Sequence, residues 1–159
     1  MNAFARVLAT WFGCGYAPKG PGTAGSLGAL IVAWPLRHQS PWFFAVLALI
    51  LLAPAIWSAG STAIQVGKKD PQIVVIDEVI GQWIALAGSA MYSVPAWILA
   101  FLLFRSFDIW KPWPVRQLER LPGGTGIVMD DVMAGIYAAL VLWLAGWNNS
   151  ISKFLYGIS

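Results

Sequence analysis

The sequence predicts an all-α fold, a small polytopic helical membrane protein whose polar loops gather on one, cytoplasmic, face. Three observations carry this. The 159-residue chain is 58% hydrophobic and 11% charged, with a mean hydropathy of +0.68, whereas an ordinary soluble domain is about 45–50% apolar. Its apolar residues fall into runs at 24–36, 42–58, 79–104 and 132–147. Such runs favour helices, because only helices and closed barrels satisfy the backbone inside lipid and the alternation of barrel strands is missing. Five of its seven acidic residues sit at the ends of these runs. The length suits a single membrane domain over 1–159.

Residues 2–13 are expected to form a short helix on or dipping into the membrane surface, without a clear signal-peptide cleavage pattern. Cys14, flanked by Gly13 and Gly15, reads as a small apolar residue, and a lone cysteine leaves no internal disulfide. "PKGPGTAGSLG" (18–28) follows. Its glycines allow close backbone approach, Thr23 and Ser26 offer hydroxyls, and the next helix starts with its positive dipole end towards them, an anion-binding arrangement that is weak on its own. The runs 24–36 and 42–58 read as helices joined through Arg37 and His38. A polar loop spans 59–78, in which Asp70 before Pro71 reads as a cap or turn residue.

The third run is ambiguous, because about 20 residues cross a bilayer and it has "YSVP" near its middle. Pro95 could kink one long helix, or Ser93 and Pro95 could turn the chain back as a hairpin. Charge placement favours the hairpin. It puts Arg6, Lys19, Lys68, Lys69, Arg105, Lys111, Arg116 and Arg120 on one side and only Arg37 and Lys153 on the other, as the positive-inside rule requires of a cytoplasmic face. Trp34, Trp42, Trp57, Trp97, Trp110, Trp113 and Trp147 lie near run ends, where interfacial tryptophans sit.

Three polar clusters then share that face: the 18–28 segment, "DPQIVVIDEVIG" (70–81) with Asp77 and Glu78, and 104–131. In the last, Arg105, Asp108 and Lys111 are spaced three apart on one helix, and Pro112 limits its continuation. "LPGGTGIVMDD" sets Gly123, Gly124 and Gly126 around Thr125, with Asp130 and Asp131 opening the last helix. "DEVIG" and "DDVMAG" each place a glycine four residues after an acid, Asp77 to Gly81 and Asp131 to Gly135. A glycine one turn from the acid lets two helix backbones approach closely and brings the carboxylates together. Asp77, Glu78, Asp108, Asp130 and Asp131 would repel one another without a cation. Hard oxygen ligands with no histidine or cysteine at hand point to Mg2+ or Mn2+ rather than zinc. Adjacent basic residues and glycine segments suit a phosphate group. Glu119, beside Arg120 on an amphipathic stretch, is assigned no role.

In "GTAGS" (22–26), "VIDEVIGQW" (75–83), "FRSFDIWKPWP" (104–114) and "GGTGIVMDDVMAG" (123–135) the chain resembles the phosphatidylglycerophosphatase A family, in family order and over most of its length. The resemblance implies a Mg2+-dependent phosphatase of the bacterial inner membrane. It would hydrolyse phosphatidylglycerophosphate to phosphatidylglycerol and inorganic phosphate. Asp77, Glu78, Asp108, Asp130 and Asp131 are then the expected metal shell, with Asp77, Glu78, Asp108, Lys111 and Asp131 catalytic. Arg105, Lys111, Thr23, Ser26 and Thr125 are the expected phosphate contacts.

Other phosphoryl chemistries leave marks that the sequence lacks. There is no GxSxG elbow, no D-x-D motif and no paired-cysteine metal motif, and the single histidine, His38, is expected on the opposite side. Two rivals from other classes are a small ion or proton transporter, which would also put acids among membrane helices, and a non-enzymatic lipid-binding subunit.

Overall fold

The computed structural model describes residues 2–157, which are helical with no strand among them. A short helix α1 (Ala3–Ala9) starts at Asn2, whose side chain accepts the Ala5 N–H at 3.4 Å. The chain then reverses through Trp11, Phe12 and Gly13, all at positive φ, and enters α2 (Pro21–Ala33). Gly20 holds the left-handed cap position and Pro21 the first turn, a pairing that presets a helix start. A 3-10 turn (Trp34–Leu36) leads to α3 (Pro41–Val66), which Gly67 stops in the left-handed conformation at φ 71°. Next come α4 (Ile76–Ala87), α5 (Val94–Trp110), a single turn α6 (Val115–Leu118), α7 (Gly123–Trp147) and α8 (Asn149–Tyr156).

The run 79–104 is a hairpin. Helix α4 ends at Ala87, and Ser93 starts α5 by accepting the Ala96 N–H at 3.1 Å, so Pro95 lies in a first turn and kinks nothing. Two other boundaries depart from the sequence reading. Helix α3 runs on through Gly60 and Ser61 to Val66, which shortens the expected 59–78 loop to 67–75. Helix α7 begins at Gly123, so the "GGTG" segment is helix rather than loop and Asp130 and Asp131 lie about two turns inside it. Packing explains both. A side chain on Gly124 would overlap the Ile56 carbonyl of α3 and meet the Gly60 nitrogen at 2.7 Å. Only glycines let these two helices touch, and the contact outweighs glycine's poor helix propensity, about 1 kcal/mol per residue.

Helix α4 is the hub and packs against α2, α3, α5 and α7. Ile76, Val79, Ile80 and Leu86 are fully buried, as is Phe104 of α5. Trp83 donates its indole N–H to the Ala29 carbonyl of α2 at 3.1 Å, and the Val75 N–H reaches the Ala9 carbonyl at 2.8 Å. The outer surface carries many exposed apolar side chains, Ile64 at 84%, Ile31 at 73% and Leu49 at 69% among them, more than a soluble monomer usually shows. Helices α3 (26 residues) and α7 (25 residues) are long and apolar enough to cross a bilayer. Trp97 departs from its expected interfacial place: it is 6% exposed and packs edge-on against Phe44, Tyr92 and Trp34.

Candidate active site

Four helices deliver their ends or inner turns to one cleft of about 260 Å³. Helix α2 contributes its start at Gly20, Pro21 and Gly22. The first turn of α4 contributes Asp77 and Glu78, held in place because Val75 and Ile76 ahead of them are fully buried. The last two turns of α5 bring Arg105 and Asp108, then Lys111 follows in a left-handed stop at φ 49°. Helix α7 supplies Ile127, Asp130 and Asp131. Glycine makes two of these approaches possible. A side chain at Gly22 would overlap a Glu78 carboxylate oxygen and come within 3.2 Å of an Arg105 guanidinium nitrogen. A methyl at Gly135 would fall 2.5 Å from the Gly81 carbonyl oxygen. The glycines spaced four after the acids do meet, and they bring α4 against α7.

Oxygen atoms of Asp77, Glu78 and Asp131 lie within 4.8 Å of one another. Asp77 is 8% and Asp131 4% exposed. Asp77 Oδ1, Glu78 Oε2 and Asp130 Oδ1 are buried with no hydrogen-bond partner, a state that costs free energy unless something binds them. Arg105 Nη1 is 2.6 Å from Asp108 Oδ2 and 3.9 Å from Glu78 Oε1. Lys111 Nζ donates to Asp130 Oδ2 at 2.8 Å and to Glu119 Oε2 at 3.1 Å. Burial alone would lower the pKa of Lys111. The hydrogen bonds and charges of Asp130 and Glu119 outweigh that and hold it above the ordinary lysine value, so the ammonium stays charged.

Six carboxylates and two cationic side chains line the cleft, an excess of negative charge that calls for a cation. The donors are hard oxygens, three of them clustered and several unpartnered, and they fit a Mg2+-type ion. Asp77, Glu78 and Asp131 are the residues that could hold such an ion, and Asp108 and Asp130 line the same cleft.

Every charged candidate from the sequence lines the cleft: Asp77, Glu78, Arg105, Asp108, Lys111, Asp130 and Asp131. The hydroxyl candidates lie elsewhere. Ser26 is buried and donates to the Gly22 carbonyl at 3.1 Å within its own helix. Thr23 is exposed on the first turn of α2 and Thr125 is half-buried on the first turn of α7, and neither is among the lining residues. Asp70 and Gln72 line the cleft and were missed, because "DP" reads locally as a turn and nothing in its spacing carries the connection back to the acids. Glu119, assigned no role, pairs with Lys111 at 3.1 Å together with Asp130 at 2.8 Å.

Fold and site together define a class: an all-helical bundle with an apolar exterior and an oxygen-ligand cleft at one end. The chain belongs to the phosphatidylglycerophosphatase A family, whose sequence model, Phosphatidylglycerophosphatase A, matches residues 7–146. It is 38% identical over 144 residues to "Phosphatidylglycerophosphatase A" of Escherichia coli K12, covering 89% of this chain and 83% of that one. It is 38% identical over 141 residues to the protein of the same name from Haemophilus influenzae, covering 87% and 86%. It is also 40% identical over 148 residues to a Bacteroides thetaiotaomicron protein named "Putative phosphatidylinositol-3-phosphatase", covering 89% and 92%. No solved structure matches the chain. These relatives are phosphatases by name, and they lend no support to the transporter alternative.

Proposed function

We propose that this protein is a Mg2+-dependent lipid phosphatase that hydrolyses the terminal phosphomonoester of phosphatidylglycerophosphate to phosphatidylglycerol and inorganic phosphate. The observation that carries the reading is the clustering of Asp77, Glu78 and Asp131 within 4.8 Å, next to a guanidinium and an ammonium in one cleft. The substrate's identity is supported by the family and by the names of the E. coli and H. influenzae relatives.

Asp77, Glu78 and Asp131, with Asp108 and Asp130, would hold the ion. When bound, such an ion supplies charge neutralisation at the phosphate and a lowered pKa for water. The rest falls to the chain. Arg105 and Lys111 offer N–H donors and positive charge to the phosphate oxygens, and their strength rises in a dry cleft. The start of α2 at Gly20–Gly22 adds the positive end of a helix dipole. A carboxylate of the cleft accepts a proton from the attacking water. The new P–O bond forms from that water, the bond to the glycerol oxygen breaks, and the departing alkoxide takes up a proton. Asp108 positions the guanidinium of Arg105, and Asp130 with Glu119 positions Lys111. Thr23, Ser26 and Thr125 contribute to phosphate binding only through a rearrangement of their helix starts.

The hairpin, the apolar exterior and the eight-to-two distribution of Lys and Arg support a multi-pass protein of the bacterial inner membrane with its cleft towards the cytoplasm. Labelling of Lys111 in intact cells by an impermeant amine reagent would overturn that orientation. The name of the B. thetaiotaomicron relative favours a second substrate, phosphatidylinositol 3-phosphate, which is also a phosphomonoester on a glycerolipid headgroup. The test is phosphate release by purified protein in detergent, with each lipid, with and without Mg2+. Release from phosphatidylglycerophosphate only with the ion is expected. Absence of release from it, or full turnover in rigorously metal-free buffer, refutes the proposal.

A further inference from the structure

Helices α2 and α5 both pack on α4, yet they hardly touch each other. Between them lies an almost wholly apolar groove of about 590 Å³. On the α2 side it is lined by Leu27, Ile31 and, just past the helix end, Trp34, and on α5 by Val94, Ile98 and Phe101. Both sets follow an i, i+4, i+7 pattern, one face of each helix. The same α5 face continues one and two turns past Phe101 to Arg105 and Asp108, and the α2 face leads back to Gly20, all of which line the polar cleft. Aromatic side chains gather at the far end of the groove. Trp34 meets Trp97 at 6.4 Å between ring centroids and Tyr92 at 5.7 Å, and Arg37 stacks over Trp34 at 4.9 Å. From Arg105 to Val94 is eleven residues, about 16 Å of helix, close to half of a bilayer's hydrocarbon core of about 30 Å.

We propose that this groove receives one acyl chain of the glycerolipid whose phosphate enters the cleft, with the Trp34–Tyr92–Trp97 cluster at its far end. The inference rests on the phosphatase reading and adds what holds the lipid's tail. A polar end that runs into the acids and an apolar end one leaflet's depth away match a single-headed amphiphile in one orientation. Continuity with the charged cleft at one end favours an amphiphile over a partner helix, which would have no use for it.

The test fills the groove. Ile31 is 73% and Ile98 55% exposed, so Ile31→Trp and Ile98→Trp place bulk in the groove without unpacking the core. Leu49→Trp, on α3 and 69% exposed, is the control outside it. The readout is the ratio of kcat/KM for dipalmitoyl over dibutyryl phosphatidylglycerophosphate in detergent micelles. We expect wild type to prefer the long chain and the ratio to fall about tenfold or more in both filled variants, the scale on which apolar pockets discriminate. It should hold at the wild-type value in Leu49→Trp. No chain-length preference in wild type, an unchanged ratio in both filled variants, or an equal fall in Leu49→Trp overturns the proposal. A second measurement does not depend on turnover. A dipalmitoyl analogue with a diazirine at its chain end should label the neighbourhood of Trp34 and Tyr92, and label confined to α3 overturns the groove. Groove labelling in a protein that releases no phosphate supports the groove and retires the phosphatase reading alone.

Discussion

Gly135→Ala tests whether helix spacing, rather than charge alone, makes the site. The added methyl would stand 2.5 Å from the Gly81 carbonyl oxygen and 3.0 Å from its Cα, all backbone that cannot rotate away. Comfortable contact needs about 3.5 Å, so α4 and α7 must part by about 1 Å. Overpacking of this kind costs about 1–3 kcal/mol. Alanine's better helix propensity returns about 1 kcal/mol, which leaves a net loss of about 0–2 kcal/mol, or a few degrees in Tm. Activity should respond far more. Asp131 sits one turn before Gly135 and Asp77 one turn before Gly81, so parting the helices separates the clustered oxygens, and a shift of about 1 Å in a positioned group costs about 100-fold in rate. Initial rates of phosphate release in micelles and thermal melts of the same preparation give both numbers. Gly146→Ala, on the same helix, meets only the Tyr156 ring at 3.8 Å and should match wild type in rate. A Gly135→Ala protein with wild-type kcat/KM would refute the spacing argument.

Asp131→Asn keeps the shape of a 4% exposed residue but removes its charge. It should fold, and phosphate release should drop by about 100-fold or more if the carboxylate acts at the reacting centre; activity within a few-fold of wild type would exclude that role. EDTA should abolish release and Mg2+ restore it, read by the same assay, and activity that survives exhaustive chelation contradicts the ion site. Lys111→Met strips the 5% exposed Asp130 of its cation. Breaking a buried pair costs about 3–5 kcal/mol, and partial exposure of Lys111 puts this case at the low end. A lowered Tm, partly rescued by Lys111→Arg, is expected, and a Tm equal to wild type counts against the pair.

The charged members of the site were legible because a carboxylate beside an oily run has few reasons to be there, and Gly81 and Gly135 were legible because a four-residue offset from each acid fixes a helix face. The hairpin followed from Ser93 and Pro95 together with the sign of the loop charges. The glycines at 123–126 misled, because a stretch without side chains looks like loop to any local rule. It becomes helix only where Ile56 and Gly60 of another helix wait to pack on it. Asp70 stayed hidden for the same kind of reason: its nine-residue connection carries no periodicity, and only the folded bundle brings it to the cleft that Asp77 lines. Ser26 shows the converse. A hydroxyl in a glycine-rich segment suggested a ligand contact, but helix geometry gave it a nearer acceptor in the Gly22 carbonyl.

Among the described residues helix α8 gives no side chain to the cleft, yet it grips the turn between α4 and α5. Ser93 donates to the Leu155 carbonyl at 2.5 Å, and the Ala90 N–H reaches the Tyr156 hydroxyl at 3.0 Å. The α4–α5 hairpin is thus fastened by residues synthesised some sixty positions later, in a chain made from its N-terminus at about 5–20 residues per second. In a nascent chain Asp77, Glu78 and Arg105 precede Asp131 by seconds, and the α8 fastening comes later still. The turn that carries the chain from Asp77 and Glu78 to Arg105 is thus held by contacts that form only after every acid of the cleft has been made.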